Sequence, residues 1–233
     1  MKLLETLSHE DRQAICNDIS ASSMPRPSFY TMLLFATIIA AYGLLTNSTA
    51  VVIGAMLVAP LMTPIIGTAL SLVISDQKTL RNSSFAEVSG SVLTLLIGIS
   101  IGTVTFNVEL GDEILSRTHP SPYDVIIALA AGFAGAYSTV NSRFNANLAG
   151  VAIATSLVPP LTASGLCISQ GEYALALGAF LLFFSNFLAI QLAAAITFLW
   201  HGFAQAHIAE IVNVVVASTV KSYSGLCSEY LPP

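Results

Sequence analysis

The sequence predicts an all-α integral membrane protein of about six transmembrane helices, arranged as two inverted three-helix repeats whose second and fifth helices are broken at proline. Three observations lead to this prediction. Hydrophobic residues make up 55% of the 233 residues and charged residues only 9%, whereas soluble domains carry about 25% charged residues. Six apolar runs are long enough to cross a bilayer. A sequence motif also recurs at an offset of 100 residues.

The six apolar runs follow one another through short polar connections. A crossing helix needs about 20 apolar residues. The runs cover residues 29–45, 50–74, 89–108, 123–140, 148–169 and 173–200. They divide the chain into an N-terminal segment (1–28), a first membrane repeat (29–108), an extracytoplasmic loop (109–122), a second membrane repeat (123–200) and a C-terminal segment (201–233).

The distribution of lysine and arginine predicts the orientation, because these residues concentrate in cytoplasmic loops. With six crossings and a cytoplasmic N-terminus, only Arg117 of the eight cations lies outside. The other seven are Lys2, Arg12, Arg26, Lys78, Arg81, Arg143 and Lys221. A re-entrant second run would move Lys78 and Arg81 outside. We therefore expect both termini in the cytoplasm and a location in the cell (inner) membrane.

Two flanking segments have weak helical patterns. Residues 7–20 begin with the capping-box pair Ser8 and Asp11 and carry a weak apolar face, which predicts a short helix against the inner membrane surface. Residues 203–221 carry apolar side chains at helical spacing and form a second amphipathic segment, expected in the cytoplasm. Packing against the helix bundle, or a simple tether, is the alternative for both.

The repeat aligns "NSTAVVIGAMLVAPL" (47–61) with "NLAGVAIATSLVPPL" (147–161), and seven of these fifteen positions are identical. Each copy supplies three spans. Because three is odd, the second copy enters the membrane from the opposite side, as in the inverted repeats of many transporters. Asn47 and Asn147 begin the matched segments and are predicted to be helix N-caps.

Prolines interrupt the second and fifth runs at corresponding places: Pro60 and Pro64 in one, Pro159 and Pro160 in the other. A proline inside a helix costs about 3 kcal/mol, and lipid offers no water to the freed carbonyls. Thr63 and Pro64 fit the N-cap and first position of a new half-helix, whose free N–H groups would favour an anion. Prolines that only kink continuous helices are the alternative.

Matched breaks in inverted halves indicate a site near the bilayer midplane. The candidate path residues are Pro60, Thr63, Pro64, Ser156, Pro159, Pro160, Thr162 and Asn186. An interhelical hydrogen bond is the alternative role of Asn186. Arg143 either contributes to a cytoplasmic vestibule that attracts anions or is a positive residue that anchors the chain on the cytoplasmic side. No charged residue lies at the centre of a predicted span, and Glu87 lies near the end of the third run.

The sequence gives no reason to expect an enzyme. It contains no catalytic motif, and its histidines and its three cysteines lack metal-ligand spacing, so no cofactor, metal or nucleic-acid partner is expected. The stretch "GISIG" (98–102) is a G-x-x-x-G motif, typical of close helix packing. Together with many other small residues, it suggests a tight bundle and a homo-oligomer in the lipid bilayer.

Two stretches resemble a known family. "SSMPRPSFYTMLLFATIIAAYGLLTNSTAVVIGAMLVAPLMTPIIG" (22–67) and "NSRFNANLAGVAIATSLVPPLTASG" (141–165) are similar to domain of unknown function family 389, a family of bacterial and archaeal hydrophobic-domain proteins. The resemblance implies a multi-pass membrane protein. The family carries no established activity, so the resemblance implies no substrate.

Two functions are compatible with these features. The matched breaks favour a transporter or channel for a small solute or anion, with its site between the two proline-broken helices. A non-transporting membrane scaffold, assembly partner or sensory protein is the alternative, because the span centres carry no charge.

Overall fold

The computed structural model describes residues 9–105, 109–141 and 157–204, and within these ranges the chain is helical throughout, with short connections and no strand. The helices are α1 (His9–Ser22), α2 (Pro27–Leu45), α3 (Thr49–Val58), α4 (Met62–Ile74), α5 (Gln77–Val104), α6 (Asp112–Leu115), α7 (Pro122–Val140), α8 (Val158–Ser169) and α9 (Tyr173–Trp200).

Four of the described helices, α2, α5, α7 and α9, are long and apolar enough to cross a membrane. Helices α3 and α4 together make a fifth such segment, although they are bent by 54° relative to each other. Helix α8 is apolar but shorter. The prediction of a multi-pass helical membrane protein is confirmed. The sixth crossing and the sides of the termini stay predictions.

The ends of most predicted runs agree with the structure, but α5 begins twelve residues before the predicted start of its run at residue 89. The reason is a helix cap. Asp76 accepts hydrogen bonds from the backbone N–H groups of Lys78 (3.0 Å) and Thr79 (3.3 Å). The Thr79 hydroxyl also donates to this carboxylate and, as the largest cause, lowers the pKa of Asp76. The early start puts Glu87 well inside the helix.

The buried face of α5 consists of small and polar side chains, while large apolar side chains lie on its outer face. The buried face of α5 consists of Thr79, Ser83, Ala86, Glu87, Gly90, Thr94, Gly98 and Gly102. The side chains of Phe85 and Val88, on the opposite face, are more than 60% exposed. This is the reverse of a soluble helix and is expected where the outer face meets lipid.

Glycines let α5 and α8 approach closely. A Cβ atom on Gly98 would lie 2.9 Å from the carbonyl oxygen of Thr162, and one on Gly165 would lie 2.7 Å from that of Leu95. Gly102 faces Ser169 in the same way. The close helix packing predicted from the G-x-x-x-G motif is therefore confirmed within the chain.

The two halves of the chain resemble each other in helix length. Helices α2 and α7 both have 19 residues and both begin with proline, and α5 and α9 both have 28. Helices α4 and α8 have 13 and 12. Helix α4 packs on α5 and α9, and α8 packs on the same two helices. These matches support the inverted repeat. The repeat stays a prediction because residues 142–156, which belong to its second copy, lie outside the described residues.

The prolines do not occupy the equivalent positions that the offset of 100 residues implies. Pro60 lies between α3 and α4, whereas Pro160 is the third residue of α8. The third residue of α4 is Pro64. Pro122 follows Pro27 by 95 residues at the starts of α7 and α2. By helix position, Pro160 therefore corresponds to Pro64 rather than to Pro60.

Helix α1 packs against the helix bundle, which is the alternative interpretation of residues 7–20. Ile19 is buried in the main apolar core, and the hydroxyl groups of Ser20 and Thr79 lie 2.7 Å apart. Burial, and secondarily the neighbouring Asp76 carboxylate, raise the pKa of Cys16. The predicted capping residue Ser8 lies outside the described residues, as does the second amphipathic segment beyond residue 204.

Single cysteines at Gln77 and Asp112 are expected to react with an impermeant thiol reagent from opposite sides of the membrane. Helix α5 separates the two exposed positions, and its 28 residues span about 42 Å at about 1.5 Å per residue. The native cysteines are first replaced by Ala. Glu172→Cys, which shares the predicted side of Asp112, is the control. If positions 77 and 112 are both labelled from the same side of the membrane, the predicted topology is wrong.

Replacing Gly98 with Ala is expected to lower the thermal stability of the detergent-solubilised protein, because the new Cβ meets the α8 backbone. Overpacking of this kind costs about 1–3 kcal/mol. Gly54→Ala in α3 is the matched control, since a Cβ there has no heavy atom within 4 Å and Ala gains about 1 kcal/mol in helix propensity. Equal melting temperatures for the two variants would show that α5 and α8 are not closely packed.

Candidate functional site at the break in the second span

The second predicted span is broken where the sequence places the break. Helix α3 ends at Val58 and α4 begins at Met62, so Ala59, Pro60 and Leu61 form the break. Ala59 has an extended backbone (φ −71°, ψ 120°), as expected for a residue that precedes proline. Pro60 has no N–H to continue the helix. The prediction of a break at Pro60 is confirmed.

The predicted start of the second half-helix is wrong by two residues. Leu61, not Thr63, is the N-cap of α4, and Thr63 and Pro64 are its second and third residues. Pro64 is tolerated there because the N–H groups of the first turn have no intrahelical acceptor. The prolines of the fifth run fall in the same turn: Pro159 and Pro160 are the second and third residues of α8.

Asn47 is not a helix N-cap, because Ser48 holds that position in α3. Asn47 has a left-handed backbone (φ 52°), and its Oδ1 accepts a hydrogen bond from the Glu113 N–H at 2.8 Å. It therefore fixes the turn before α3 to α6. Of the other predicted residues, Asn147, Arg143 and Ser156 lie outside the described residues.

A cavity of about 240 Å³ lies beside the break, between α1, α4 and α7. Its lining consists of Ile15, Asp18, Ile19, Ser22, Met62, Thr63, Ile66 and Thr139. The predicted path residue Thr63 thus reaches a cavity. Asp18, the one charged residue among those described in the lining, is acidic, which opposes an anion and favours a neutral or cationic solute.

Helix α1 holds the start of α4 in place at this cavity. The hydroxyl of Ser23, just after α1, donates to the carbonyl oxygens of Ile19 (2.7 Å) and Thr63 (3.0 Å). Gly67, one turn further along α4, would bring a Cβ to within 3 Å of the side chains of Ser23 and Ser83. The broken segment is therefore supported by protein rather than left in lipid.

The other predicted path residues do not share this cavity. Pro159, Pro160 and Thr162 are buried in α8, and none of them lines it. The Thr162 hydroxyl donates to the carbonyl of Val158 (2.8 Å), within its own helix. Asn186 is buried in α9. Ala59 of the break packs against an apolar cluster that includes Ala163 of α8.

Glu87, which lies near the end of a predicted span in the sequence, is a buried polar residue in the structure. Its side chain is 5% exposed, and Oε1 accepts a hydrogen bond from Nε2 of Gln191 in α9 at 3.1 Å. Thr68 of α4 faces the same carboxyl group, although its buried hydroxyl has no partner in hydrogen-bonding geometry among the described residues. The buried hydroxyl of Ser83, one turn earlier on α5, likewise has none there.

A signal for this group was present in the sequence. Thr79, Ser83 and Glu87 recur at a spacing of four residues, which places them on one helix face. The signal is hidden because the apolar run that marks the span begins only after them. We call Thr68, Ser83, Glu87 and Gln191 the α4–α5–α9 polar cluster.

Comparisons with known proteins identify relatives of unknown activity. The family model described as domain of unknown function (DUF389) matches residues 56–192, more than half of the chain. An uncharacterised protein of Methanocaldococcus jannaschii is 32% identical over 198 residues, which cover 85% of this chain and 61% of that protein. The chain thus spans about three fifths of its relative's length. No solved structure matches the chain.

Proposed function

We propose that this chain, which belongs to the DUF389 family of unknown function, is a transporter or channel for a small solute. The observation that carries the proposal is the 54° break in the second span, with a cavity beside it. Irregular backbone at membrane depth is tolerated only against protein or a water-filled cavity. The protein contact between Ser23 and Thr63 at the start of α4, and the cavity that Thr63 lines, support this proposal.

The cavity favours a solute that is small and is neutral or cationic. Its volume of about 240 Å³ is below the range of about 300–1,000 Å³ of pockets for drug-sized ligands. Thr63 and Thr139 supply hydroxyl groups, and Asp18 supplies a negative charge. The N-terminus of α4 would favour an anion by about 0.3–1 kcal/mol. The anion would, however, be repelled by the carboxylate of Asp18 in the cavity lining.

The proposal includes the inner membrane of a bacterial cell as the location, with both termini in the cytoplasm. This orientation has the lysine and arginine distribution as its support. A homo-oligomer is part of the proposal too. The large exposed apolar side chains of the outer helix faces, such as Phe85, Leu57 and Trp200, suit contact with lipid or with another copy of the chain.

The alternative is a non-transporting scaffold, assembly partner or sensory protein, and one observation favours it. Ala59 of the break packs against an apolar cluster to which α8 contributes Ala163, Leu166 and Cys167, and the Thr162 hydroxyl is satisfied within α8. A path lined by both broken helices has no support from these contacts. On this alternative, the prolines shape the bundle, and the cavity beside Thr63 is a surface recess.

A cysteine at Thr63, in a background whose native cysteines are replaced by Ala, is expected to react with a small hydrophilic thiol reagent in membranes. Adding Pro60→Ala should slow this reaction about tenfold, the factor that corresponds to about 1.4 kcal/mol. The physical reason is that α3 and α4 can then continue as one helix, which moves Thr63 away from the cavity. The measurement is the second-order labelling rate.

Pro122→Ala is the matched control, because Pro122 occupies the first position of α7, where it interrupts no hydrogen bond. This control should leave the labelling rate of the cysteine at position 63 unchanged. If that cysteine does not react at all in the otherwise intact chain, the cavity is closed to water and the transport proposal loses its support.

Proteoliposomes that contain the purified chain are expected to pass urea or glycerol faster than empty liposomes, and Pro60→Ala should reduce the difference. Stopped-flow light scattering measures the shrinkage and recovery that follow an osmotic step. Chloride, followed with an electrode, tests the anion. Flux of chloride without flux of either neutral probe would contradict the solute class that Asp18 favours.

A further inference from the structure

The α4–α5–α9 polar cluster holds a carboxyl group that the break and its cavity do not use. Glu87 lies in the third turn of α5 and is 5% exposed. Burying an ionised carboxylate without a cation is very costly, and such groups neutralise instead. An ionisable residue inside a membrane protein is a functional-site hypothesis by default, with a partner to be named.

We propose that Glu87 is a proton-binding site whose protonation is coupled to movement of α4 beside the break. The coupling rests on the proposed transport function, whereas proton binding does not. The step is a simple protonation. A proton from cytoplasmic water binds to Glu87 Oε2, the carboxylate becomes a neutral carboxylic acid, and the reverse step returns the proton to water.

Among the described residues, the helices packed directly on α5 carry no positive charge that would compensate Glu87. The helices around it, α2, α4, α8 and α9, contain no Lys, Arg, His, Asp or Glu within their bounds. Their titratable groups are Tyr30, Tyr42, Cys167 and Tyr173. Lys78 and Arg81 of α5 itself are exposed, and α1, which packs on α4, carries His9, Glu10, Asp11, Arg12, Cys16 and Asp18. No ion pair to Glu87 is present among the described residues.

The neighbours of Glu87 fit the neutral acid. A protonated Oε2 would be a donor, and the Thr68 hydroxyl, which otherwise lacks a partner in hydrogen-bonding geometry, is an acceptor that faces it. Gln191 donates to Oε1 in either state. A metal cation needs several more oxygen ligands, and no group of three or more His, Cys, Asp or Glu side chains that could hold one occurs among the described residues. A proton needs no further ligand.

Polar groups lead from the start of α5 to Glu87. Asp76 accepts a hydrogen bond from the Thr79 hydroxyl at 2.5 Å, and Ser83 and Glu87 follow on the same buried face. Thr79 and Glu87 are eight residues apart, which is about 12 Å along a helix. Thr68, which faces Glu87, is five residues after Thr63 in α4. A change of charge at Glu87 therefore acts on the helix that carries the cavity.

The first experiment is an infrared difference titration of the purified full-length chain in lipid between acidic and alkaline pH. A carboxylic-acid C=O band of a dry site is expected at acidic pH, absent in Glu87→Gln and unchanged in Glu172→Gln, whose side chain is exposed. Gln191→Leu should shift the frequency of the band because one hydrogen bond is lost. This last variant also tests the assignment if Glu87→Gln fails to fold.

A band that is absent from the wild-type titration, or that persists in a folded Glu87→Gln, would overturn proton binding. If the spectrum changes with sodium concentration at constant pH, the site binds a metal cation instead of a proton. This result would also overturn the proposal of proton binding. The infrared result needs no transported solute and stands even if the transport proposal fails.

The second experiment tests the coupling. The labelling rate of a cysteine at position 63 is compared between Glu87 and Glu87→Gln backgrounds at each pH, so that the ionisation of the thiol cancels. We expect the ratio to change severalfold across the pH range in which the infrared band titrates. A constant ratio would overturn the coupling while leaving proton binding intact.

Discussion

Every backbone polar group inside the hydrocarbon region must find its partner within the protein, and the rest of this structure depends on that constraint. It explains why the described chain is helical, and why the start of α4, just after the interruption at Pro60, is held by α1. Ser23 contributes directly, since its hydroxyl reaches the Thr63 carbonyl at the start of α4. A segment placed as an amphipathic surface helix is therefore part of the support for a broken span.

The same constraint changes what a helix interface is made of. Lipid is as apolar as leucine, so burying a large side chain gains little over leaving it in lipid, and close approach of backbones contributes to cohesion. Gly98 and Gly165 bring α5 and α8 into backbone contact. The small residues on the buried face of α5 also leave positions where a hydroxyl or a carboxyl group can be held by neighbouring helices. Glu87 occupies one of these positions.

The sequence predicts the class of fold and most helix bounds, because long apolar runs and prolines act locally. It predicts the break at Pro60 for the same reason. It misplaces the cap of α4 by two residues, since Thr63 is a good capping residue that tertiary packing left unused. It also misses the α4–α5–α9 polar cluster. Glu87 and Gln191 are 104 residues apart, and only the packing of α5 beside α9 shows that they are partners.

Helix α4 connects the two polar features of the molecule. Its first turn carries Thr63 at the cavity, and Thr68, about one and a half turns later, faces Glu87. Between them lies Gly67, where any larger side chain would meet Ser23 and Ser83. The break at Pro60 frees the start of α4 from α3, and the Ser23 hydrogen bond ties it to the end of α1. Thr63 and Thr68 belong to one unbroken helix, Met62–Ile74. A displacement of this helix at Thr68, as proposed for a change of charge at Glu87, would therefore also move Thr63 and strain its hydrogen bond to Ser23.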